Sequence, residues 1–586
     1  MKTIISLSQK FNYFQIILII LFIIIGIFIR FNGLNKQMTE GDDIGVASFI
    51  TISEDNSITV EYILNKINDR NNSSFNAPMH KFFRSLNKHE LLMPFLPYVN
   101  KMIQTLAIPR AWTYAPFQYL ITPHLISQNQ SYQQVLFWGR FPSFIFASLA
   151  IFLMLVFFLK INARNIFLAC FSSLMLLIFS LENIIYSRHM SNYALGVLAA
   201  ILLILILIFI IENKTNNFKK GIIIGLALAV ISNMQYQIIF LIPVFFIVWL
   251  FEIIKNENNN RKNILKTFLS KQFLMYIFSF ICYFCFMLPS LILFVIPKAQ
   301  LGLSKSVGIP HNFYFDAFGM DGVWETIKYS AIFFSKNGFV VFRYITSYMS
   351  YDNVFFNISA FIILILTVLG FIRMIYSKYN LVRNLGYFFV GSLLVTVVLI
   401  IINNIPLSPT RHYLIYLPYI AICVGFGISE IYAFIQSKFK IKLEFFFTFV
   451  LIFLFLAPFL SDYFKITSDR KDNFSEKMLC ELTRKYDPKY VIAQDLETNL
   501  MFMGCFSNWS RENGIFTNSS TDNNETYMYV SNSDNLCNGI SSKICDTELY
   551  KILYNYKFDD GITLSISNEA KTSYNRLYIR IIKFDD

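Results

Sequence analysis

The sequence predicts a polytopic α-helical membrane protein of about eleven transmembrane helices, closed by a small extracytoplasmic α+β domain. Three observations predict it: an apolar composition, the spacing of long apolar runs, and the alternation of basic residues between those runs. Of 586 residues, 55% are hydrophobic and only 15% charged, and the mean hydropathy is +0.50. A soluble domain of this length has no use for so much apolar surface. The 64 Phe and 33 Tyr suit lipid-facing and interfacial positions. A formal charge of +13 raises the question of nucleic acid. Lys and Arg fall in short clusters between apolar runs, however, which is a topology signal and not a binding stripe.

Apolar runs long enough to span fall near 14–31, 136–159, 165–185, 192–211, 221–235, 236–252, 273–296, 357–375, 385–402, 413–434 and 443–461. The 221–252 stretch is open to two readings, two short helices or one broken helix, because only Ser232-Asn233-Met234-Gln235 divides it. Lys2 and Lys10 precede the first run in the manner of a signal peptide. That run is too long for a typical signal core and no small-residue cleavage pattern follows it, so it is expected to be a retained span.

Orientation follows from the cations. Lys2 and Lys10; Lys160 and Arg164; Lys214, Lys219 and Lys220; Lys255, Arg261, Lys262, Lys266 and Lys271; Lys378 and Arg383; and Lys438, Lys440 and Lys442 occupy every second connection. The positive-inside bias therefore puts the N-terminus in the cytoplasm and the C-terminus outside. Three large polar segments, 32–135, 297–356 and 462–586, then share the outer face. The transmembrane module is expected over 1–461 and the α+β domain over 462–586, where apolar and polar residues alternate around 490–493, 527–530 and 577–584. Cys170, Cys282, Cys285 and Cys423 lie within spans, where a thiol acts as a small hydrophobe. Cys480, Cys505, Cys537 and Cys545 fall in the outer domain, where three disulfide pairings are open to them in an oxidising space.

Candidate chemistry lies on the outer face. Glu40-Gly41-Asp42-Asp43 sits just beyond the first span. Arg140 opens the second span in Trp138-Gly139-Arg140-Phe141-Pro142-Ser143, where an interfacial snorkelling role competes with a functional one. Arg188 and His189 occupy the tight connection Tyr186-Ser187-Arg188-His189-Met190-Ser191-Asn192-Tyr193, and Arg411, His412 and Tyr413 enter the tenth span after Pro406-Leu407-Ser408-Pro409-Thr410. Arg188 and Arg411 stand against the positive-inside bias, and a planar guanidinium suits phosphate, so the pair suggests a bound anion. The adjacent histidines suit ligation or proton transfer, although histidines at helix ends are commonly just solvated.

The order of these features resembles the GT-C membrane glycosyltransferases, and within them the protein O-mannosyltransferase and lipid A aminoarabinose transferase group, glycosyltransferase families 39 and 83. The matching features are an acidic pair after the first span (Asp42-Asp43), an aromatic stretch (Tyr114-Ala115-Pro116-Phe117-Gln118-Tyr119) and an Arg-x-Pro-Ser helix entry (Arg140-Phe141-Pro142-Ser143). A Ser-Arg-to-Tyr connection (Ser187-Arg188 to Tyr193) and a late Arg411-His412-Tyr413-Leu414 entry before Leu417-Pro418 complete the series. The resemblance covers roughly residues 10–435, and order and common face carry it, since no single motif is specific. Tyr114-Ala115 stand where the family has His-Pro, and neither 462–586 nor 297–356 has a counterpart. Asp316, Asp321 and Glu325 of the latter segment are further acidic candidates.

What the resemblance implies is transfer of a sugar from a polyprenyl-phosphate donor to a lipid, glycan or protein acceptor. Asp42 or Asp43 would be the base. Glu40, Arg140, Arg188, His189, Tyr193, Arg411, His412 and Tyr413 would bind substrate. A divalent metal on Asp42 and Asp43 is compatible with this chemistry but not required by it. No nucleic acid is expected, and the low-GC-like composition points to a bacterial inner membrane. Two other classes remain open: an O-antigen polymerase or ligase, which explains the arginines but not the acidic cluster, and a transporter or flippase for a lipid-linked substrate. The latter would place charges at mid-span and pair broken helices, and no internal repeat of that kind is visible.

Overall fold

A computed structural model describes residues 10–32, 34, 125, 132–161, 163–190, 193–212, 218–258, 270–291, 338–346, 354–401, 411–440 and 443–468, together with six strands between 490 and 583. The helices are α1 (Tyr13–Phe31), α2 (Tyr132–Lys160), α3 (Ile166–Phe179), α4 (Leu181–Tyr186), α5 (Tyr193–Glu212), α6 (Phe218–Met234), α7 (Ile242–Asn258), α8 (Lys271–Ser290), α9 (Val354–Ile375), α10 (Asn380–Ile401), α11 (Leu417–Phe439) and α12 (Glu444–Ser468). Short 3-10 turns, Tyr236–Leu241 and Arg411–Tyr416, lead into α7 and α11. Among the described residues, eight helices are long and apolar enough to cross a membrane; α3 and the Glu444–Leu460 part of α12 are shorter apolar helices. The chain is thus mostly helical, with several helices suited to a membrane.

The chain divides into two compact units. The first comprises Met1–Asn32, Trp112–Gln118 and Ser143–Phe464. Its centre is α11: 83% of the Arg411–Phe439 span is buried, against 22% for α1 and for Lys271–Leu288 of α8. Small residues explain how α11 reaches the centre. Ala421, Gly425 and Ser429 recur every four residues and so share one face. Ser173 Oγ donates to Ala421 O at 2.7 Å, and Asn165 N donates to Ser429 Oγ at 2.8 Å. A Cβ on Gly425 would stand 2.5 Å from Ala169 O. The two helices therefore run antiparallel at backbone contact, the packing available where no water drives helices together.

The stretch left open at 221–252 forms two helices. Gln235, extended at φ −152° and ψ 117°, separates α6 from the 3-10 turn and α7. Gly221 faces Met275 and Gly225 faces Ser279, while Asn233 Nδ2 lies 3.2 Å from Met287 Sδ, so α6 and α8 run in the same direction. Against the same helix, Phe246 meets Tyr283 and Trp249 meets Tyr276, so α7 runs the other way. The expected 165–185 helix is instead broken. Ser180 (φ −60°, ψ 111°) ends α3 and caps α4, because a serine hydroxyl can serve a helix start inside an apolar run.

One end of this unit gathers cations of both kinds. Lys10 Nζ donates to Ile161 O at 2.9 Å, capping the end of α2. Burial holds its ammonium below the usual range, while the Glu212 carboxylate pulls the other way. Glu430 pairs with Arg164 at 3.1 Å and Arg373 at 2.6 Å. Asn380 and Asn384 donate to Glu252 at 2.5 and 2.7 Å, and Gln15 donates to Glu444 at 2.5 Å. These are the connections in which the sequence concentrates its lysines.

The second unit comprises Gly33–Ala111, Tyr119–Pro142 and Lys465–Asp586. Its strands are β1 (Tyr490–Ala493), β2 (Ser510–Glu512), β3 (Ile515–Thr517), β4 (Thr526–Ser531), β5 (Ile562–Ser567) and β6 (Arg576–Lys583). They pair in the order β2-β3-β1-β4-β6-β5. Only β1 and β4 are parallel neighbours; the other pairs are antiparallel. Cys480, Cys505, Cys537 and Cys545 lie outside the described residues, whereas Cys170, Cys282, Cys285 and Cys423 are free thiols.

The α3–α11 contact yields a test. Gly425→Val should destabilise the detergent-solubilised protein by about 1–3 kcal/mol through overpacking, read as a lower thermal midpoint. Gly338→Ala, at a position with nothing within 4 Å of the added Cβ, should leave that midpoint unchanged.

Candidate functional site

The end of the first unit opposite the lysines is built around the break at Ser180. Ending α3 at Phe179 releases the carbonyls of its last turn, which must find donors inside an apolar bundle. Arg30, fully buried in the last turn of α1, supplies them. Its Nη2 donates to Leu177 O at 3.0 Å and its Nη1 to Ile178 O at 3.1 Å, with Gly26 O at 3.0 Å completing the fork. Asn183 Nδ2 adds a second bond to Leu177 O at 3.0 Å. A planar guanidinium with five donors suits this task as an ammonium does not. Gly26 allows the approach, since a Cβ there would lie 2.9 Å from Ile178.

Beyond the break, α4 and its following turn carry the polar residues. Glu182, only 1% exposed, lies in the first turn of α4. Its carboxylate and the Tyr186 phenol lie close enough to the Tyr344 hydroxyl to act on its protonation. Burial pushes the Tyr344 phenol far above its usual range, and the neighbouring Glu182 charge adds to the shift. The group therefore stays protonated and is fitted to donate. Ser180 Oγ also reaches this segment, donating to Ile345 O at 3.2 Å. Arg343, 6% exposed, donates to Asn357 Oδ1 at the start of α9.

Arg188 and His189 are both buried. Arg188 Nη2 donates to Ile29 O, which ties the turn to α1. Aromatic contacts extend the cluster. The Tyr186 ring lies 5.3 Å from His189 and 5.2 Å from Tyr193. Tyr193 in turn lies 5.9 Å from His412, and the Arg411 guanidinium sits over it at 5.1 Å. Tyr413 is buried, with its ring 6.3 Å from Tyr416. Gly196, one turn into α5, meets Ile415 at 3.0 Å from its added Cβ, so α5 and the 411–416 turn lie in contact.

The structure thus joins His189, Tyr193, Arg411 and His412 through Tyr186 in one chain of ring contacts, while the Arg188 guanidinium is turned to Ile29 O of α1. Arg140 belongs to the second unit; it is fully buried, not snorkelling, and its Nη1 donates to Leu34 O at 2.9 Å. Glu40, Asp42 and Asp43, and also Asp316, Asp321 and Glu325, lie outside the described residues. Among the described residues no group of three His, Cys, Asp or Glu side chains is arranged to hold a metal ion. Arg30, Glu182, Arg343 and Tyr344 were not singled out by sequence as site residues. For Arg30 and Glu182 a signal existed: each is a charge at the border of an apolar run. For Arg343 and Tyr344 there was none.

The role of Arg30 is testable by shape at constant charge. Arg30→Lys keeps the cation but cannot bridge Gly26, Leu177 and Ile178 together, and should cost about 2–4 kcal/mol of stability, measured by thermal unfolding in micelles. No protein-family model matches the chain, and neither a curated protein nor a solved structure matches it at a significant level.

Proposed function

We propose that the protein is a GT-C-type integral-membrane glycosyltransferase that passes a sugar from a polyprenyl-phosphate donor to a lipid, glycan or protein acceptor on the outer face of a bacterial inner membrane. The observation that carries this proposal is the meeting of His189, Tyr193, Arg411 and His412 at one end of the helical unit, with Arg188 buried in the turn beside His189. On this proposal eleven helices cross the membrane, with α3–α4, α6 and α12 completing the eight long spans. The lysine-bearing end is cytoplasmic, the arginine-bearing end faces out, and the strands after α12 form an extracytoplasmic α+β domain.

The chemistry follows from charge. In an in-line displacement the acceptor oxygen forms a bond to the anomeric carbon as the bond from that carbon to the carrier phosphate oxygen breaks. The electron pair leaves on the phosphate, and the acceptor hydroxyl proton passes to a carboxylate, Asp42 or Asp43. Guanidinium groups at the phosphate oppose the charge that develops there, and a water-poor setting strengthens them. A lipid-held carrier explains why transfer should be done by a bundle of spans. A polymerase or ligase acting on lipid-linked glycans would draw on the same arginines and is the second reading; it needs no acidic cluster.

Transfer from radiolabelled polyprenyl-phosphate sugars in membranes separates the two. Asp42→Asn or Asp43→Asn should lower the rate by about 10²–10⁴-fold, and full activity in both would remove the catalytic assignment. Arg188→Ala and Arg411→Ala should weaken carrier binding; unchanged affinity would remove the phosphate role.

A further inference from the structure

The 3-10 turn Arg411–Tyr416 carries Arg411 and His412 at its start and delivers the chain into α11 at Leu417. Such a turn does not hold its own direction. Six residues is long for a 3-10 run, whose hydrogen bonds are poorly aligned. Pro418, in the first turn of α11, has no N–H to bond back into the turn. Tyr416 stands at the cap position of α11, yet its side chain makes no cap bond. The turn is held instead from outside. Ile415 lies 3.0 Å from where a Cβ on Gly196 of α5 would stand, and the Tyr416 hydroxyl is hydrogen-bonded to Thr396 Oγ1 of α10. Both of these hydroxyl-bearing residues are buried.

The direction of that bond follows from the count of protons. Thr396 Oγ1 donates to Ser392 O at 2.7 Å, and a threonine hydroxyl has one proton to give. Tyr416 is therefore the donor and Thr396 the acceptor. Thr396 is itself firmly placed. Earlier in α10, Gly391 abuts Val244 of α7, and Asn384 donates to Glu252 of α7 at 2.7 Å. Tyr419 makes the contrast: its ring packs on Phe389 of α10 at 4.8 Å, but its buried hydroxyl has no partner among the described residues. At the start of the turn, the Arg411 guanidinium sits over the Tyr193 ring at 5.1 Å, and the His412 ring lies 5.9 Å from the same tyrosine.

We propose that Thr396 is a positioning residue for Arg411 and His412: by accepting from Tyr416 it fixes the 411–416 turn on α10, and so holds these two side chains at Tyr193. That Arg411 there meets the carrier phosphate rests on the function proposed above; the anchoring of the turn does not. A buried phenol stripped of its acceptor costs more than the net worth of an ordinary hydrogen bond, so the turn yields when Thr396 is lost.

Amide hydrogen exchange on the full-length protein in detergent tests the anchor without a ligand. Thr396→Val and Tyr416→Phe should each speed exchange across 411–416 roughly five- to fiftyfold, with α5 unchanged. The double variant should do no more than either single one. Thr396→Ser, which keeps the accepting oxygen, should exchange as the wild type does. Two controls should leave 411–416 untouched: Tyr419→Phe, and Thr367→Val, which removes a bond to Ile363 O within α9. Equilibrium binding of a polyprenyl monophosphate reads the consequence for Arg411. Affinity should fall about three- to tenfold in Thr396→Val, recover in Thr396→Ser, and fall no further when Thr396→Val is added to Arg411→Ala. Unchanged exchange in both single variants, additive effects in the double one, or equal acceleration throughout the helical unit would overturn the anchor. Local acceleration with unchanged carrier binding would overturn its bearing on the carrier phosphate. If the wild type binds no carrier, the proposed function falls, while the exchange result still decides the anchor.

Discussion

The fork of Arg30 onto the end of α3 is the interaction on which the rest of this arrangement depends. A helix that stops inside an apolar bundle leaves carbonyls that neither water nor lipid can satisfy. Without a donor at Leu177 and Ile178, α3 would be expected to run on through Ser180, and α4 would not exist as a separate turn. Glu182, Tyr186, Arg188 and His189 would then point elsewhere. One guanidinium, reaching across from α1, thus makes a broken helix tolerable, and the break is what presents a carboxylate, an arginine and a histidine within a few residues of one another. The serine at the break does two further tasks, capping α4 and holding Ile345.

Beneath that end, packing is governed by small residues. α11 meets α3 through Ala421, Gly425 and Ser429, and a Cβ on Gly370 of α9 would collide with the backbone of α11 around Cys423. The central helix is wedged between two neighbours at backbone distance. At the lysine-bearing end, carboxylates and carboxamides are paired with partners on other helices, so the charge there is mostly spent on holding helices together.

Much of this was legible in the sequence. Hydropathy located the helices, because a run of apolar side chains over a bilayer's length has few other fates. The rarity of cations in every second connection made Arg188 and Arg411 conspicuous; Arg188 bonds to α1 and Arg411 sits over Tyr193. Ser180 was legible only in principle: a serine followed by Glu182 and Asn183 is a cap signal, but a hydropathy window averages it away. The Gln235 turn was visible as a polar interruption, yet whether the chain reversed there depended on where α8 lay. The bond from Ser180 to Ile345 had no local signature at all, since it joins residues far apart in the chain that share no pattern. Tertiary contacts of that kind enter a sequence only through the fold.

The two ends of the helical unit differ in one more respect. Lys10, Lys255, Lys438 and Lys440 stand at one end together with arginines, but the cations described at the other, Arg30, Arg188, Arg343 and Arg411, are all arginine. An ammonium buried in an apolar setting can shed its proton and so escape the cost of its charge; a guanidinium in practice cannot. Proton occupancy at the arginine-bearing end is therefore fixed for these groups across the range of acidity met outside a cell. The share of the potential that these four arginines supply is therefore written into the covalent structure and not set by the surrounding medium.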